Sequence, residues 1–361
     1  MSVRTVLVCE VQVPLVEGGA ERLVRQLAHQ LTLRGYAAGI VSVPFKWYPK
    51  QEILTHAAAW RLLDLSESNG RPIDMVITTK FPSYFVRHPN KVTWLTHQYR
   101  AAYELCGTEY GDFDYTELDV ALRERIFSLD REMLLESRRI YAIARNVANR
   151  LQKYVGVGAE PLYHPPRLAD RLRCGAFGDY ILSVGRLESI KRVDLAIRAF
   201  RHVDPGVRLL VVGEGTQREN VERVAEEAGV RDRVEFLGAR SDDDLVDLYA
   251  GALGVVYAPF DEDYGYVTLE AFLSGKPVVT ASDSGGVLEF VEDGVNGYVC
   301  APDADDIARA MNGLAASRAR AASLGAAGRE RAQTALSQSW TGNTLTCRQS
   351  LHKLNLQLQL H

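Results

Sequence analysis

The sequence predicts an α/β protein with two doubly wound domains, each a parallel sheet covered by helices on both faces. Three observations carry that prediction. Ten runs of four to six residues are rich in Val, Ile and Leu, as strands buried on both faces should be. Stretches with helical apolar spacing alternate with them, which is the pattern of parallel sheets. A break rich in Pro and polar residues (Pro161, Pro165, Pro166, then 167–179) separates two such series. A chain of 361 residues suits two domains, and 47% apolar with 24% charged residues marks it as globular.

The first series opens with the strand 5–9. Leu23, Val24, Leu27 and Leu31 then recur with helical spacing, and Gly35 ends that helix. Residues 38–43, 75–78, 92–95 and 140–143 supply its other strands. Residues 118–139 read as a long, charged, solvated helix over a ligand cleft. The second series opens with 180–184 and continues through 209–212, 234–237, 254–258 and 277–280. Asp293-Gly294-Val295-Asn296-Gly297 reads as a turn feeding a short last strand. Residues 301–336, rich in Ala and Arg, read as helix.

Charge and cysteine usage exclude several classes. Lys+Arg total 42 against 46 Asp+Glu, a net charge of −4, so the basic excess of a nucleic-acid binder is missing. No apolar run approaches the ~18 residues of a membrane span. Glu10 interrupts the N-terminal apolar stretch, and no signal-peptide cleavage site follows it. Cys9, Cys106, Cys174, Cys300 and Cys347 are scattered and form no C-x-x-C. That predicts free thiols in a reducing cytoplasm, with neither a disulfide framework nor a Cys-based zinc site.

Open α/β sheets bind ligands beyond the C-terminal ends of their strands, so the informative residues follow strands. Gly18-Gly19-Ala20-Glu21 opens a helix. It is either an anion-binding start, through close backbone approach and free N–H groups, or an ordinary loop. It is not G-x-G-x-x-G, which disfavours a nicotinamide oxidoreductase. Gly185-Arg186-Leu187-Glu188-Ser189-Ile190-Lys191-Arg192 brackets a strand-to-helix turn with two cations, Arg186 and Lys191. They suit a pyrophosphate or are solvated surface charges. Gly213-Glu214-Gly215 is a further turn with close backbone access. Glu262 and Glu270 are separated by seven residues. Gly265 breaks any helix through both, which puts Glu262 in a loop and Glu270 in the first turns of a helix. The helix N-terminus there favours an anionic carboxylate.

Taken in order, GGAE, GRLESIKR, GEG, the E-x7-E within DEDYGYVTLEAFLSGKPVV, DSGG and DGVNG resemble the retaining glycosyltransferases of family 4. The resemblance spans nearly the whole chain, strongest over 180–297 and weakest over 46–141. It implies the GT-B fold, two Rossmann-like domains facing across a cleft. Residues 1–167 would be the acceptor side and 178–337 the nucleotide-sugar side, with 338–361 crossing back onto the first domain. By position it implies that Glu262 lies near the anomeric centre and that Glu270 holds the donor ribose. Arg186 and Lys191 would grip the diphosphate, with Gly18 and Gly19 near it. Backbone N–H groups from Asp263 through Tyr264, Gly265, Tyr266 and Val267 would hold sugar hydroxyls, and His97 would contact the donor sugar. Backbone near Gly215 and Leu237 would meet the base.

What the resemblance implies is a cytoplasmic hexosyltransferase that retains configuration and needs no metal or other cofactor. A GDP- or UDP-sugar would be its donor and a sugar hydroxyl of a growing, lipid-linked glycan its acceptor, such as a bacterial surface polysaccharide. Contact with the inner membrane surface goes with that acceptor. A nucleotide-sugar epimerase on the same fold and an inactive nucleotide-sugar-binding paralogue are the alternatives. Four positions depart from the family pattern: Arg192 replaces a common Gly, Thr216 a common Pro, and Asp263-Tyr264 a Pro-Phe or Gly-Phe pair. Asp242-Asp243-Asp244 reads as helix capping. Asp261-Glu262-Asp263 lacks the His or Cys neighbours of a metal site. Residues 45–50 mix aromatics and cations, as a surface loop or a membrane or lipid contact would. Tyr99, Arg100, Tyr103, Tyr110 and Tyr115 line an acceptor-sugar site or are ordinary packing residues.

Overall fold

The computed structural model describes residues 3–15 and 18–338. The chain divides into two compact units, Met1–His164 and Pro165–Gln338. The segment expected to cross back, 338–361, lies outside the described residues beyond its first residue, as does Cys347.

The first unit contains β1 (Thr5–Gln12), α1 (Gly19–Leu33), β2 (Ala37–Pro44), α2 (Glu52–Leu62) and a small hairpin of β3 (Glu67–Ser68) and β4 (Arg71–Pro72). β5 (Met75–Thr78), β6 (Lys91–Leu95), α3 (Glu117–Leu135), β7 (Arg139–Ala142), α4 (Arg145–Val155) and β8 (Glu160–Pro161) follow. Its sheet runs β2-β1-β5-β6-β7-β8, with every pairing parallel. The apolar runs explain this order. β1, β5 and β6 are central and bury Val8, Ile77 and Trp94, each such side chain contributing about 1.5–3 kcal/mol on burial. β2 forms where expected but lies at the sheet edge, so it is not buried on both faces and Ile40 stays 40% exposed. α1 turns Leu23, Val24, Leu27 and Leu31 to the core. Gly35 follows with φ +87, a conformation that needs glycine.

α3 differs from the solvated helix expected. Thr116 caps it by accepting the Asp119 N–H at 3.2 Å. It buries Leu122, Ile126, Met133 and two carboxylates, Asp119 and Asp130. Lys50 pairs with Asp119 at 2.9 Å, and the Tyr103 hydroxyl donates to Asp130 at 2.7 Å. Those partners are what allow the carboxylates inside.

The second unit contains β9 (Tyr180–Val184), α5 (Val193–Ala199), β10 (Arg208–Val212), α6 (Arg218–Glu227), β11 (Val234–Gly238) and α7 (Asp242–Gly251). β12 (Gly254–Val256), α8 (Tyr266–Leu273), β13 (Val278–Ala281), β14 (Gly297–Cys300), α9 (Ala304–Ala316) and α10 (Arg318–Gln338) complete it. Its sheet runs β11-β10-β9-β12-β13-β14 and is likewise parallel. One core of Ile181, Ile197, Phe200, Leu209, Met311 and Leu314 packs helices onto it. α10 reaches its place because Gly325 has no side chain: a Cβ there would lie 2.0 Å from the Gly275 carbonyl oxygen. Residues 165–177 belong to this unit too. Arg167, Arg171 and Arg173 pair with Asp242, Asp243 and Asp247 of α7. The expected capping is also present, since Ser241 accepts the Asp244 N–H at 3.2 Å.

In each sheet the chain reverses its direction of winding once. The reversal falls between β1 and β5 in the first unit and between β9 and β12 in the second. Loops leaving the C-terminal strand ends part there and leave a crevice, which is where such sheets bind ligands.

Candidate active site

In the second unit the loops after β9, β10, β12 and β13 leave the same sheet edge, because parallel strands all end there. The loop after β9 carries Arg186 and Lys191. Arg186 is exposed, and its side chain bonds to none of the described residues. The Lys191 ammonium pairs with the Glu262 carboxylate, and the Tyr257 hydroxyl lies 3.5 Å from the same nitrogen. Lys191 and Glu262 are 18% and 15% exposed, so the pair is only partly screened by water. The structure thus joins a candidate phosphate cation to the candidate sugar carboxylate, a contact no spacing could report.

Gly265 caps α8 with φ +82, so Glu262 stands in the loop and Glu270 inside the helix. Tyr249 of α7 donates its hydroxyl to Glu270 Oε2 at 2.8 Å. Burial pushes the hydroxyls of Tyr249 and Tyr257 well above the usual tyrosine range, and the nearby glutamate charges push them further. Both stay protonated and act as donors. Tyr264 and Val267 are buried, Tyr264 against Phe290 with ring centroids 5.6 Å apart. They offer the site backbone rather than side chain. α8 begins at Tyr266, and the Thr268 N–H of its first turn donates to the carbonyl of the capping Gly265 at 3.0 Å.

The loops after β9 and β10 interlock. Leu187 N–H donates to the Glu214 carbonyl at 2.9 Å and Gln217 N–H to the Leu187 carbonyl at 2.8 Å. Gly215 is required here, because a Cβ would lie 2.3 Å from Leu187 O. Thr216 uses its hydroxyl to hold Glu188 at 2.7 Å, something a proline could not do. Leu237 is half-buried near the end of neighbouring β11. The loop after β13 is stitched to the Glu262 loop: Asp261 N–H donates to Asp283 O at 2.8 Å, and Gly286 N–H to Glu262 O at 2.7 Å.

Gly18, Gly19 and His97 lie in the first unit. Gly18 precedes α1 and Gly19 begins it. Glu21 takes the Gly18 N–H at 2.8 Å and pairs with Lys80 at 2.6 Å. Burial alone would raise the Glu21 carboxyl, but the Lys80 charge and hydrogen bond outweigh it and hold it below its usual range. His97 Nδ1 donates to the Gln98 carbonyl at 2.7 Å. His97 lines a cavity of about 480 Å³ with Phe45, Trp47, Phe81, Tyr99 and Tyr110. Arg100 lines it as well, but Tyr103 is buried in the core and Tyr115 is 71% exposed, so those two of the five weighed residues do not.

Sequence reasoning missed Tyr249, Tyr257 and Asp283. A phenol inside the aliphatic run 254–258 was the one available sign of Tyr257. Tyr249 carries no local signal at all. Among the described residues no group of His, Cys, Asp or Glu gathers as metal ligands, Cys9, Cys106, Cys174 and Cys300 are free thiols, and no helix is long and apolar enough to cross a membrane.

The signature of the family Glycosyl transferases group 1 matches residues 178–331. The D-inositol 3-phosphate glycosyltransferase of Mycolicibacterium paratuberculosis is 37% identical over 172 residues, which are 46% of this chain and 38% of that protein. The match thus spans well under half the length of that curated relative. Among solved structures, the sucrose-phosphate synthase of Thermosynechococcus elongatus superposes with a TM-score of 0.76 at 20% identity, over 98% of this chain and 99% of the other. The HepE protein of Anabaena, solved with UDP and glucose, gives a TM-score of 0.69 at 17% identity over 97% and 99%. At those identities the likeness is one of fold, and the fold is GT-B. Over residues 178–331, most of its second unit, the chain is similar to the glycosyl transferases group 1 family.

Proposed function

We propose that this chain is a retaining, metal-independent glycosyltransferase that moves a hexosyl group from a GDP- or UDP-sugar to a sugar hydroxyl of a growing, lipid-linked glycan. The observation that carries the reading is the meeting of Lys191 and Glu262 beside the reversal point of the second sheet. A nucleoside diphosphate leaving group gains negative charge as its bond to the sugar breaks. Arg186, Lys191 and the N-terminal turn of α8 are groups that stabilise such charge electrostatically. The anomeric carbon gains positive charge in the same step, and the Glu262 carboxylate suits that cation. In this reading Glu270, held by Tyr249, accepts from ribose hydroxyls. The leaving phosphate oxygen takes the acceptor proton, so no separate base is invoked. Retention of configuration rests on the family resemblance.

The first unit's cavity is our proposed acceptor site. Aromatic faces such as Trp47 and Tyr99 suit the C–H face of a sugar ring, and carboxylates of Glu109 and Asp112 on its lining suit hydroxyls. A lipid-linked acceptor places the enzyme in the cytoplasm, at the membrane face.

The test is a thermal-shift panel in EDTA with GDP, UDP, ADP, dTDP, CMP and NAD. A ligand at ~100 times its Kd stabilises by roughly 2.7 kcal/mol, a shift of a few degrees. We expect one nucleoside diphosphate, GDP or UDP, to raise the melting point without metal. A shift with NAD alone, or with no diphosphate, would overturn the reading. Turnover of the sugar nucleotide without any acceptor would favour the epimerase.

A further inference from the structure

We propose that Arg192 and Asp283 form a positioning pair that sets Glu262 against Lys191. Arg192 has φ +49, a left-handed backbone that a bulky side chain adopts at a cost and glycine adopts freely. Its side chain is nonetheless 9% exposed and fully engaged. The guanidinium forks onto Asp283 with contacts of 2.8 and 2.5 Å. It also donates to the carbonyls of Ala258 at 2.8 Å and Pro259 at 2.9 Å. One side chain therefore ties together the loops leaving β9, β12 and β13.

These anchors converge on Glu262. Asp283 also accepts, through its carbonyl, the N–H of Asp261, and Ser284 O accepts the Glu262 N–H at 3.2 Å. Phe260 N–H donates to the Ile190 carbonyl at 2.8 Å, which closes the other side. Asp261 is itself left-handed, with φ +41. Lys191 is the residue immediately before Arg192, so the fork fixes cation and carboxylate from adjacent anchor points. Charge-assisted, planar and bidentate bonds hold direction as well as distance, which a lysine here could not do. The link to catalysis rests on the glycosyl-transfer reading above, whereas the link to loop geometry does not.

The experiment compares wild type with R192G, R192K and D283N. Glycine suits the left-handed backbone, so R192G removes the fork without straining the chain. Amide hydrogen exchange of residues 258–263 and 283–287 is the first readout. We expect exchange at least ~10-fold faster there in R192G, with smaller increases in R192K and D283N, while β10 and α6 stay protected. Exchange within twofold of wild type in these variants would overturn the pair. Should R192G fail to fold, R192K and D283N carry the comparison. Steady-state transfer is the second readout: kcat is expected to fall roughly 10–100-fold with donor KM little changed, as for a misplaced reacting group. A loss confined to KM would overturn the catalytic role. If the wild type transfers no sugar, the functional reading fails, and the exchange result still decides the pair.

Discussion

Glu262 and Asp130 are both carboxylates away from bulk water, and their surroundings ask different things of them. Glu262 faces an ammonium and a phenol at the crevice edge. Glu262→Gln keeps its shape and removes its charge. We expect transfer to fall by at least ~100-fold, in the range of losing one preorganised electrostatic group. Full activity in that variant, measured by product formation, would remove Glu262 from the mechanism. Among the described residues no cation pairs with Asp130. Burial pushes its carboxyl from an ordinary 3.8 up to about 7, against the hydrogen bond from Tyr103. Between those values the unfolded chain gives up the proton while the folded chain keeps it. The stability this group contributes is complete below the lower value and is lost as pH rises through the upper one. Asp130→Asn cannot ionise, so its melting point should drop less than that of wild type between pH 5 and pH 8. Equal drops would show that Asp130 is not the buried acid described here.

At the scale of elements, strands and helices were legible and their exposure was not. The runs 5–9, 75–78 and 180–184 reappear in β1, β5 and β9, because a strand buried on both faces must be apolar at every position. β2 has a similar run but an edge position, and pairing order is not a local property. α3 looked solvated because Lys50 and Tyr103, which make its acids acceptable inside, lie on other elements. The glycine turns were readable as close approaches, though not what they approach. Gly213 has φ +132, and a Cβ there would lie 1.9 Å from Gly185 O. Gly213→Ala should therefore force apart the exits of β9 and β10 and cost about 2–5 kcal/mol from strain and overpacking together. A denaturation midpoint unchanged by the substitution would contradict that packing.

At the scale of the whole molecule, each unit has its own parallel sheet and its own core. Cores of that kind need not melt as one. The diphosphate contacts proposed above, Arg186, Lys191 and the start of α8, lie in the second unit, so calorimetry with the stabilising nucleotide should move the transition of that unit. The sequence by itself determined the alternation of strands and helices, the break near the middle, and the placing of Glu262 in a loop with Glu270 in the helix after it. Those features are local: they follow from apolar periodicity and from the backbone that glycine permits. Only the tertiary structure decided which side chains meet. Lys191 and Glu262 are 71 residues apart, Arg192 and Asp283 91, and Tyr249 and Glu270 21. The first two pairs meet because parallel strands deliver distant loops to one edge of a sheet, and the third because α7 comes against α8; the order of those strands is settled by packing across the whole unit, which no single stretch of sequence records.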